Sequence, residues 1–367
     1  MIKKITLSLA VAALAITAKA QDYTPLKQII GDDFYIGVAI NPNQVSGNED
    51  TKTILHNFTT ITAENAMKPA GIIQADGSYN FTDADKIVNF AKENGLKMRG
   101  HTLCWHASIP RNYMKNADGT DLTKEELYAK HEKYIKAVFE HFPSDVVIYW
   151  DVVNEALNDG ENEGRYRERS EWYRICGPEF ISWAFKTARK YAPANVKLYY
   201  NDYNLVDPVK REKCYLMLKE LVDSGVPIDG VGMQAHWSMD VTPAQIEESI
   251  NRFASLGLDV QITEFDLTVY NSIHPPKASE RQIVKYTLPY DVVEKAQADA
   301  YASYFKVLHE NRDKISSVIF WNVNDASSWL GRGFAIRGRL DYPLLFDREN
   351  KPKAPFFSIE NYYKSLK

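Results

Sequence analysis

The chain of 367 residues is 45% hydrophobic and 25% charged, an ordinary globular composition with enough apolar mass for a large core. Its formal net charge of −4 offers nothing to draw nucleic acid or an anionic membrane surface, so neither is an expected partner and an uncharged substrate fits better. Most of the 22 Tyr, 16 Phe and 7 Trp read as core packing, while any exposed at a cleft rim are platforms for the apolar faces of sugar rings.

The chain opens on a targeting segment. Lys3 and Lys4 form a basic start, Ile5 to Thr17 is apolar, and Ala18-Lys19-Ala20 is a small-x-small cleavage site before Gln21. The apolar run is too short to span a membrane, and no second candidate span follows. Residues 1–20 therefore read as a signal peptide and 21–367 as one exported domain, without linker, repeat or composition break.

Short apolar runs rich in β-branched and aromatic residues predict eight strands. They are Phe34–Ile40, Thr59–Ala63, Lys97–Thr102, Val146–Val152, Lys197–Asn201, Gly230–Gln234, Asp259–Thr263 and Ser316–Trp321. Amphipathic stretches between them predict helices at Thr123–His141, Glu179–Tyr191, Val209–Val222, Pro243–Leu256 and Tyr290–Asn311. Each is long enough to cross back over a parallel sheet. The strands read as near-continuous apolar runs, as strands buried on both faces do. Eight alternations without a Gly-x-Gly-x-x-Gly turn favour a single closed (β/α)8 barrel of the TIM type over a doubly wound sheet.

Cys104, Cys176 and Cys214 do not make a disulfide framework, and an odd number leaves at least one thiol over. One bridge among them stays open. No thiolate–metal spacing appears, and neither metal nor cofactor is expected.

In such a barrel the active site lies at the carboxyl ends of the strands. The second strand is followed by Glu64, Asn65 and Lys68, the third by His101, Trp105 and His106, and the fourth by Asn154 and Glu155. The fifth leads to Asn201, Asp202 and Tyr203, the sixth to Gln234 and His236, the seventh to Glu264 and Asp266, and the eighth to Trp321, Asp325 and Trp329. Helix capping accounts for one or two such carboxylates. It does not account for Glu155 and Glu264, each read as directly following an apolar strand and well before its helix. Glycosidic cleavage needs two carboxyls, one to protonate the departing oxygen and one to attack or to activate water behind the anomeric carbon. Strands four and seven face each other across the mouth of an eight-stranded ring. A separation of about 5–5.5 Å would let the second carboxylate attack directly, with retention of configuration.

The finer pattern resembles glycoside hydrolase family 10, the endo-β-1,4-xylanases. Its carriers are Thr62-Ala63-Glu64-Asn65-Ala66-Met67-Lys68, Arg99-Gly100-His101-Thr102-Leu103-Cys104-Trp105-His106 and Trp150-Asp151-Val152-Val153-Asn154-Glu155-Ala156. Gly232-Met233-Gln234-Ala235-His236, Ile262-Thr263-Glu264-Phe265-Asp266, and Phe320-Trp321 with Asp325 and Trp329 complete it, in order across residues 25–365. The resemblance implies a retaining hydrolysis of xylan and xylo-oligosaccharides by double displacement through a glycosyl-enzyme. Glu155 would be the acid/base and Glu264 the nucleophile. His236 would hydrogen-bond Glu264 and be oriented by Asp266. Asn154 would hold the sugar 2-hydroxyl, and Gln234 would tune the proton affinity of Glu155. Glu64, Asn65, Lys68, His101, Trp105 and Trp329 would bind the glycone sugars, with Trp321 as floor and Tyr203 as an aglycone platform. Two carboxylates a few ångströms apart resist double ionisation, so an ionised Glu264 keeps the proton on Glu155 until the covalent intermediate forms.

Three features depart from the family pattern. Cys104 stands where an aliphatic residue is expected, Asn324–Trp329 keeps only the ends of its motif, and the loop Asn271–Pro289 is long. They bear on subsite preference and not on the carboxyl pair. A cellulose- or mannan-cleaving barrel is the neighbouring reading. A non-catalytic sugar-binding scaffold would tolerate loss of a carboxylate, yet both are present. A metal-dependent hydrolase would need clustered His ligands, and His101 and His106 are the only close pair. A monomer is the expectation.

Overall fold

The computed structural model describes residues 23–270, 289–332 and 340–367. The signal peptide read at 1–20 and all but the last residue of the loop Asn271–Pro289 lie outside the described residues. The strands are β1 (Tyr35–Ile40), β2 (Thr60–Ala63), β3 (Lys97–Trp105), β4 (Val147–Asn154) and β5 (Lys197–Asp202). Then come β6 (Gly230–Met233), the short β7 (His236–Ser238), β8 (Asp259–Thr268) and β9 (Ile315–Phe320). All pair in parallel, and β1–β2–β3–β4–β5–β6–β8–β9 closes on β1 through Tyr35 opposite Ser317. This is a (β/α)8 barrel.

The helices in chain order are α1 (Leu26–Ile30), α2 (Glu49–Asn57), α3 (Pro69–Ile72), α4 (Thr82–Glu93), α5 (Lys124–His141) and α6 (Glu171–Cys176). They continue as α7 (Glu179–Tyr191), α8 (Pro208–Asp223), α9 (Pro243–Ala254), α10 (Tyr290–Glu310) and α11 (Ala354–Ser365). The five expected helices are α5 and α7 to α10. The ring is completed by α2, α4 and α11. Thr51, Thr53 and Asn57 make much of the buried face of α2 polar, so it carries no apolar stripe to read. By contrast α4 buries Ala84, Ile87, Val88 and Ala91 at helical spacing, a signal that the strand-centred reading passes over. Helix starts follow ordinary capping: Thr123 and Glu126 form a capping box on α5, and Thr242 with Gln245 forms one on α9.

The eight barrel strands match expectation in number and order, the short β7 is an unexpected ninth, and β3, β4 and β8 run further, to Trp105, Asn154 and Thr268. Glu264 therefore lies inside β8 rather than directly after its strand. The reason is local. The ladder is irregular between Ile262 and Phe265, between His101 and Cys104, and between Asp151 and Val153. Such bulges interrupt the apolar run while pairing resumes beyond, and they re-aim side chains beside active sites.

The barrel interior holds charge as well as hydrocarbon. Arg99 and Asp151 form a fully buried ion pair, and Arg99 also donates to Gln261 and lies 5.0 Å from the Tyr199 ring centroid. Buried charges persist only when paired in this way. Trp150 is packed between Phe139 and Phe142 on one side and the bare backbone of Gly100 on the other. A β-carbon at Gly100 would overlap the indole. Gly100→Ala should therefore lower stability by about 1–3 kcal/mol, the usual cost of overpacking. The check is a fall in urea midpoint with an unchanged m-value.

Candidate active site

At the carboxyl ends of the strands lies a cavity of about 430 Å³. Residues from β2, β3, β4, β6, β8 and the turn after β9 converge on it.

After β2, Glu64 is buried and accepts hydrogen bonds from the side-chain amides of Asn41 and, at 2.7 Å, Asn322. Lys68 reaches back over the indoles of Trp105 (5.1 Å) and Trp321 (5.8 Å) and donates to Asn65 Oδ1 at 3.1 Å. Burial lowers its pKa, against the pull of Glu264, Glu64 and Glu155. His101 is 2% exposed, its Nδ1 2.8 Å from Asp151 Oδ2. The Arg99–Asp151 pair thus fixes the ring from beneath.

Glu155 leaves β4 with a φ of 55°, in the left-handed region that non-glycine residues rarely adopt. A conformation of this kind costs on the order of 1–3 kcal/mol and persists where the surroundings over-determine it. Four contacts do so. The Glu155 N–H donates to Asn201 O (2.9 Å), and Arg167 Nε donates to Glu155 O (2.9 Å). Trp105 Nε1 donates to Glu155 Oε2 (3.0 Å), and Gln234 Nε2 donates to Glu155 Oε1 (2.9 Å).

Glu264 is 5% exposed and more tightly held. Its N–H donates to Gln234 O at 2.9 Å, and its Oε1 accepts from Asn201 Nδ2 at 2.8 Å. Oε2 lies 3.1 Å from His236 Nε2, while His236 Nδ1 lies 2.9 Å from Asp266 Oδ2. Trp329 Nε1 donates to that same Asp266 oxygen at 2.7 Å. Burial alone would raise the Glu264 carboxyl. The His236 hydrogen bond and the charges of His101, His236 and Lys68 outweigh it and bring the group down to about 2. Burial alone would lower His236, and Asp266 and Glu264 push it up to about 10. An imidazolium donates from both nitrogens, which is what two flanking carboxylates require.

The two carboxyl groups are joined by a side-chain amide relay. Gln234 touches Glu155, Asn154 lies 3.2 Å from Gln234 and 2.9 Å from Asn201, and Asn201 reaches Glu264. One carboxylate is held ionised and a second carboxyl faces the same cavity. That arrangement is equipped for nucleophilic and acid–base chemistry on a glycosidic bond.

Of the residues singled out from sequence, Glu64, Lys68, His101, Trp105, Asn154, Glu155, Tyr203, Gln234, His236, Glu264, Trp321 and Trp329 all line this cavity. Asn65 is exposed and stands behind Lys68, and Asp266 stands behind His236. Tyr203 is gripped at the rim: its hydroxyl donates to Asp159 (2.6 Å), and Lys210 Nζ lies 3.3 Å from its ring centroid. Asp325 faces elsewhere, paired with Lys353 at 2.9 Å; burial raises it to about 6 against that pairing. All three cysteines are buried and unbridged, with Cys104 Sγ 3.3 Å from His131 Nε2 beneath the site.

Sequence reasoning places His106 and Asn201 at strand ends without giving either a role, and it misses Arg167 in the cavity wall and Asn41 and Asn322 as supports. The three asparagines follow or end strands, so the strand-end criterion reaches them. Arg167 sits in the loop between β4 and α6, which no strand end points to. Burial and Arg167 lower the His106 pKa to about 4. Among the described residues no group of His, Cys, Asp and Glu could hold a metal ion, and no helix is long and apolar enough to cross a membrane.

Residues 25–362 match the family model of glycosyl hydrolase family 10. The chain is 41% identical over 356 residues to a β-1,4-xylanase of Dictyoglomus thermophilum, covering 97% of this chain and 96% of that one. It is 40% identical over 352 residues to a thermostable celloxylanase of Thermoclostridium stercorarium, covering 93% and 88%. The crystal structure of an endo-1,4-β-xylanase from Caldicellulosiruptor owensensis superposes with a TM-score of 0.85 at 38% identity, over 92% of this chain and all of that one.

The ion triad should make stability depend on pH from both sides. Folding lowers Glu264 from 4.5 to about 2, so its contribution is present above pH 4.5 and is lost as pH falls through about 2. Folding raises His236 from 6.5 to about 10, so its contribution is present below pH 6.5 and is lost as pH rises through about 10. Each shift corresponds to roughly a few kcal/mol. Urea midpoints measured across this range should show both limbs. Asp266→Asn, which removes the main support for the imidazolium, should start the alkaline fall at lower pH and leave the acid limb in place.

Proposed function

The chain belongs to glycosyl hydrolase family 10, and from that membership we propose that it is a secreted, retaining endo-1,4-β-xylanase. The observation that carries the reading is Glu264, held as a carboxylate by His236 in the cavity that Glu155 shares. In the first step Glu155 protonates the departing glycosidic oxygen while Glu264 attacks the anomeric carbon from the opposite face. The bond to the aglycone breaks, and a glycosyl ester forms on Glu264. In the second step Glu155 takes a proton from water, which displaces Glu264 with net retention.

The other roles follow from position. Asn154 contacts the 2-hydroxyl beside the anomeric carbon, a bond that strengthens in the transition state. Gln234 and Trp105 orient Glu155. Glu64, Lys68, His101 and Trp105 hold the glycone sugars, with Asn65 fixing Lys68. Trp321 and Trp329 crowd the place of a C5 hydroxymethyl group, which xylose lacks. Tyr203 is the aglycone platform. No cofactor takes part, the substrate is xylan or its oligosaccharides, residues 1–20 direct export, and the mature chain acts as a monomer. One relative is named a celloxylanase, which favours side activity on β-1,4-glucans. A single small substituent shifts discrimination by only about 1–3 kcal/mol.

Glu264→Ala should lose nearly all hydrolysis. With azide and an activated β-xyloside it should yield the α-glycosyl azide, and recovery of the β product would reverse the two roles. Glu155→Ala should fall by about 10²–10⁴-fold on substrates with poor leaving groups. It should still attack activated ones and accumulate the intermediate. Equal damage on both substrate types would remove Glu155 as the acid. Xylan, carboxymethylcellulose and mannan assayed side by side, with NMR of the first-formed anomer, test substrate class and stereochemistry together.

A further inference from the structure

The Trp105 indole donates to Glu155 Oε2 at 3.0 Å, and the groups that aim this indole lie outside the cavity, in the helix layer. Trp105 is the last residue of β3, which reaches it past an irregularity in the ladder between His101 and Cys104. Two buried side chains hold this strand end. Trp172 of α6 donates from Nε1 to the Trp105 carbonyl at 3.2 Å. His131 of α5 places Nε2 3.2 Å from Leu103 O and 3.3 Å from Cys104 Sγ. A carbonyl only accepts, so Nε2 carries the proton and Nδ1 accepts from the Tyr113 hydroxyl at 3.1 Å. Burial brings the His131 pKa down to about 3, which keeps the ring neutral and its tautomer fixed.

The two anchors form one unit. The Trp172 ring stacks on Phe180 (centroids 5.6 Å apart) and meets the His131 ring edge-on at 4.8 Å. A buried indole N–H needs some acceptor, and packing alone would explain why both rings are inside. It does not explain why both N–H groups reach carbonyls of one strand end, two residues apart. We propose, on the footing of the xylanase reading, that Trp172 and His131 are positioning residues for the acid/base. They fix the backbone of Leu103–Trp105 from behind, and through it the indole that aims Glu155. Misplacement of a group near the reacting atoms by about 1 Å can cost about 10²-fold in rate. The cost falls on protonation of the departing oxygen. Attack by Glu264 is spared, because its partners Asn201 and His236 stand on β5 and β7. Trp105 also faces the glycone sugars, so a loosened indole weakens every substrate alike, and that part cancels between substrates that differ in leaving group alone.

The test compares phenyl and dinitrophenyl β-xylobiosides on the full mature enzyme. The dinitrophenyl group departs without a proton, and the phenyl group needs one. Trp172→Phe keeps a stacked ring and removes the donor. It should lose about tenfold in kcat/KM on the phenyl compound and stay within about threefold on the dinitrophenyl one, a fraction of what a general acid supplies. His131→Leu should show the same split. His131→Gln, whose amide still offers an N–H toward Leu103 O, should recover most of the loss. Should His131→Leu not fold, Trp172→Phe decides the matter alone. An equal loss on both compounds, no loss on either, or a Gln variant no better than Leu would overturn the assignment. Glu155→Ala run alongside separates the two levels. Equal damage there would remove the acid/base role itself, and a wild type that cleaves neither xylobioside would remove the xylanase reading.

Discussion

The contact between His236 and Glu264 is the constraint that organises this molecule. A carboxylate almost wholly withdrawn from water is unfavourable unless it is paired and hydrogen-bonded. The chain meets that condition with an imidazolium, and the imidazolium in turn needs Asp266, which Trp329 holds on its other side. Much irregular backbone serves this chain of contacts. The ladder of β8 is disturbed where Glu264 leaves it, and Ala235 takes a φ of 63° just before His236. The three-residue β7 then pairs His236 opposite Asp266. A strand that short has little stability of its own. It sets the spacing of the triad.

A second set of contacts ties this carboxylate to the other one without any charge. Gln234, Asn154 and Asn201 pass a hydrogen-bonded path from Glu155 to Glu264. Amides suit the task because each presents donors and acceptors and none titrates. The two carboxyls are thus linked by groups that keep their state when either carboxyl gains or loses a proton. The unfavourable φ at Glu155 belongs to the same design, since its backbone and its side chain are each held at two points.

These features were unequally legible. The eight barrel strands are readable because strands buried on both faces are continuous apolar runs, and Glu155 and Glu264 stand out as charges that end such runs. The same logic misplaces the end of β8. The apolar run stops at the charge of Glu264, whereas the hydrogen-bonded ladder resumes at Phe265 and the strand continues to Thr268. Helix α2 is hidden because threonine and asparagine cover its inner face. Asn201 sits at a strand end in plain view, but nothing in an Asn-Asp pair says that the amide and not the carboxylate will reach Glu264. Arg167 was out of reach altogether. Its position depends on the loop between β4 and α6 folding back so that Leu157 pairs with Tyr166, a long-range consequence with no local pattern.

The charge balance of the cleft gives these contacts a common purpose. Buried ions in the walls are matched close by: Arg99 with Asp151, His236 with Glu264 and Asp266, Lys210 with Asp202 and Asp159. Lys68 is different. It has no ion-pair partner among the described residues and stands between two indoles, within the field of Glu64, Glu155 and Glu264. A cation there balances the carboxylates collectively instead of binding one of them, so each carboxyl is left free to face the cavity. An uncharged sugar entering the site then meets aligned donors and acceptors with little net field to oppose its desolvation. The alternative, one lysine tied to one glutamate, would cancel charge equally well and withdraw that glutamate from chemistry. Near-neutrality distributed over the wall is therefore the condition under which two carboxyl groups can share one cavity and both remain available to act.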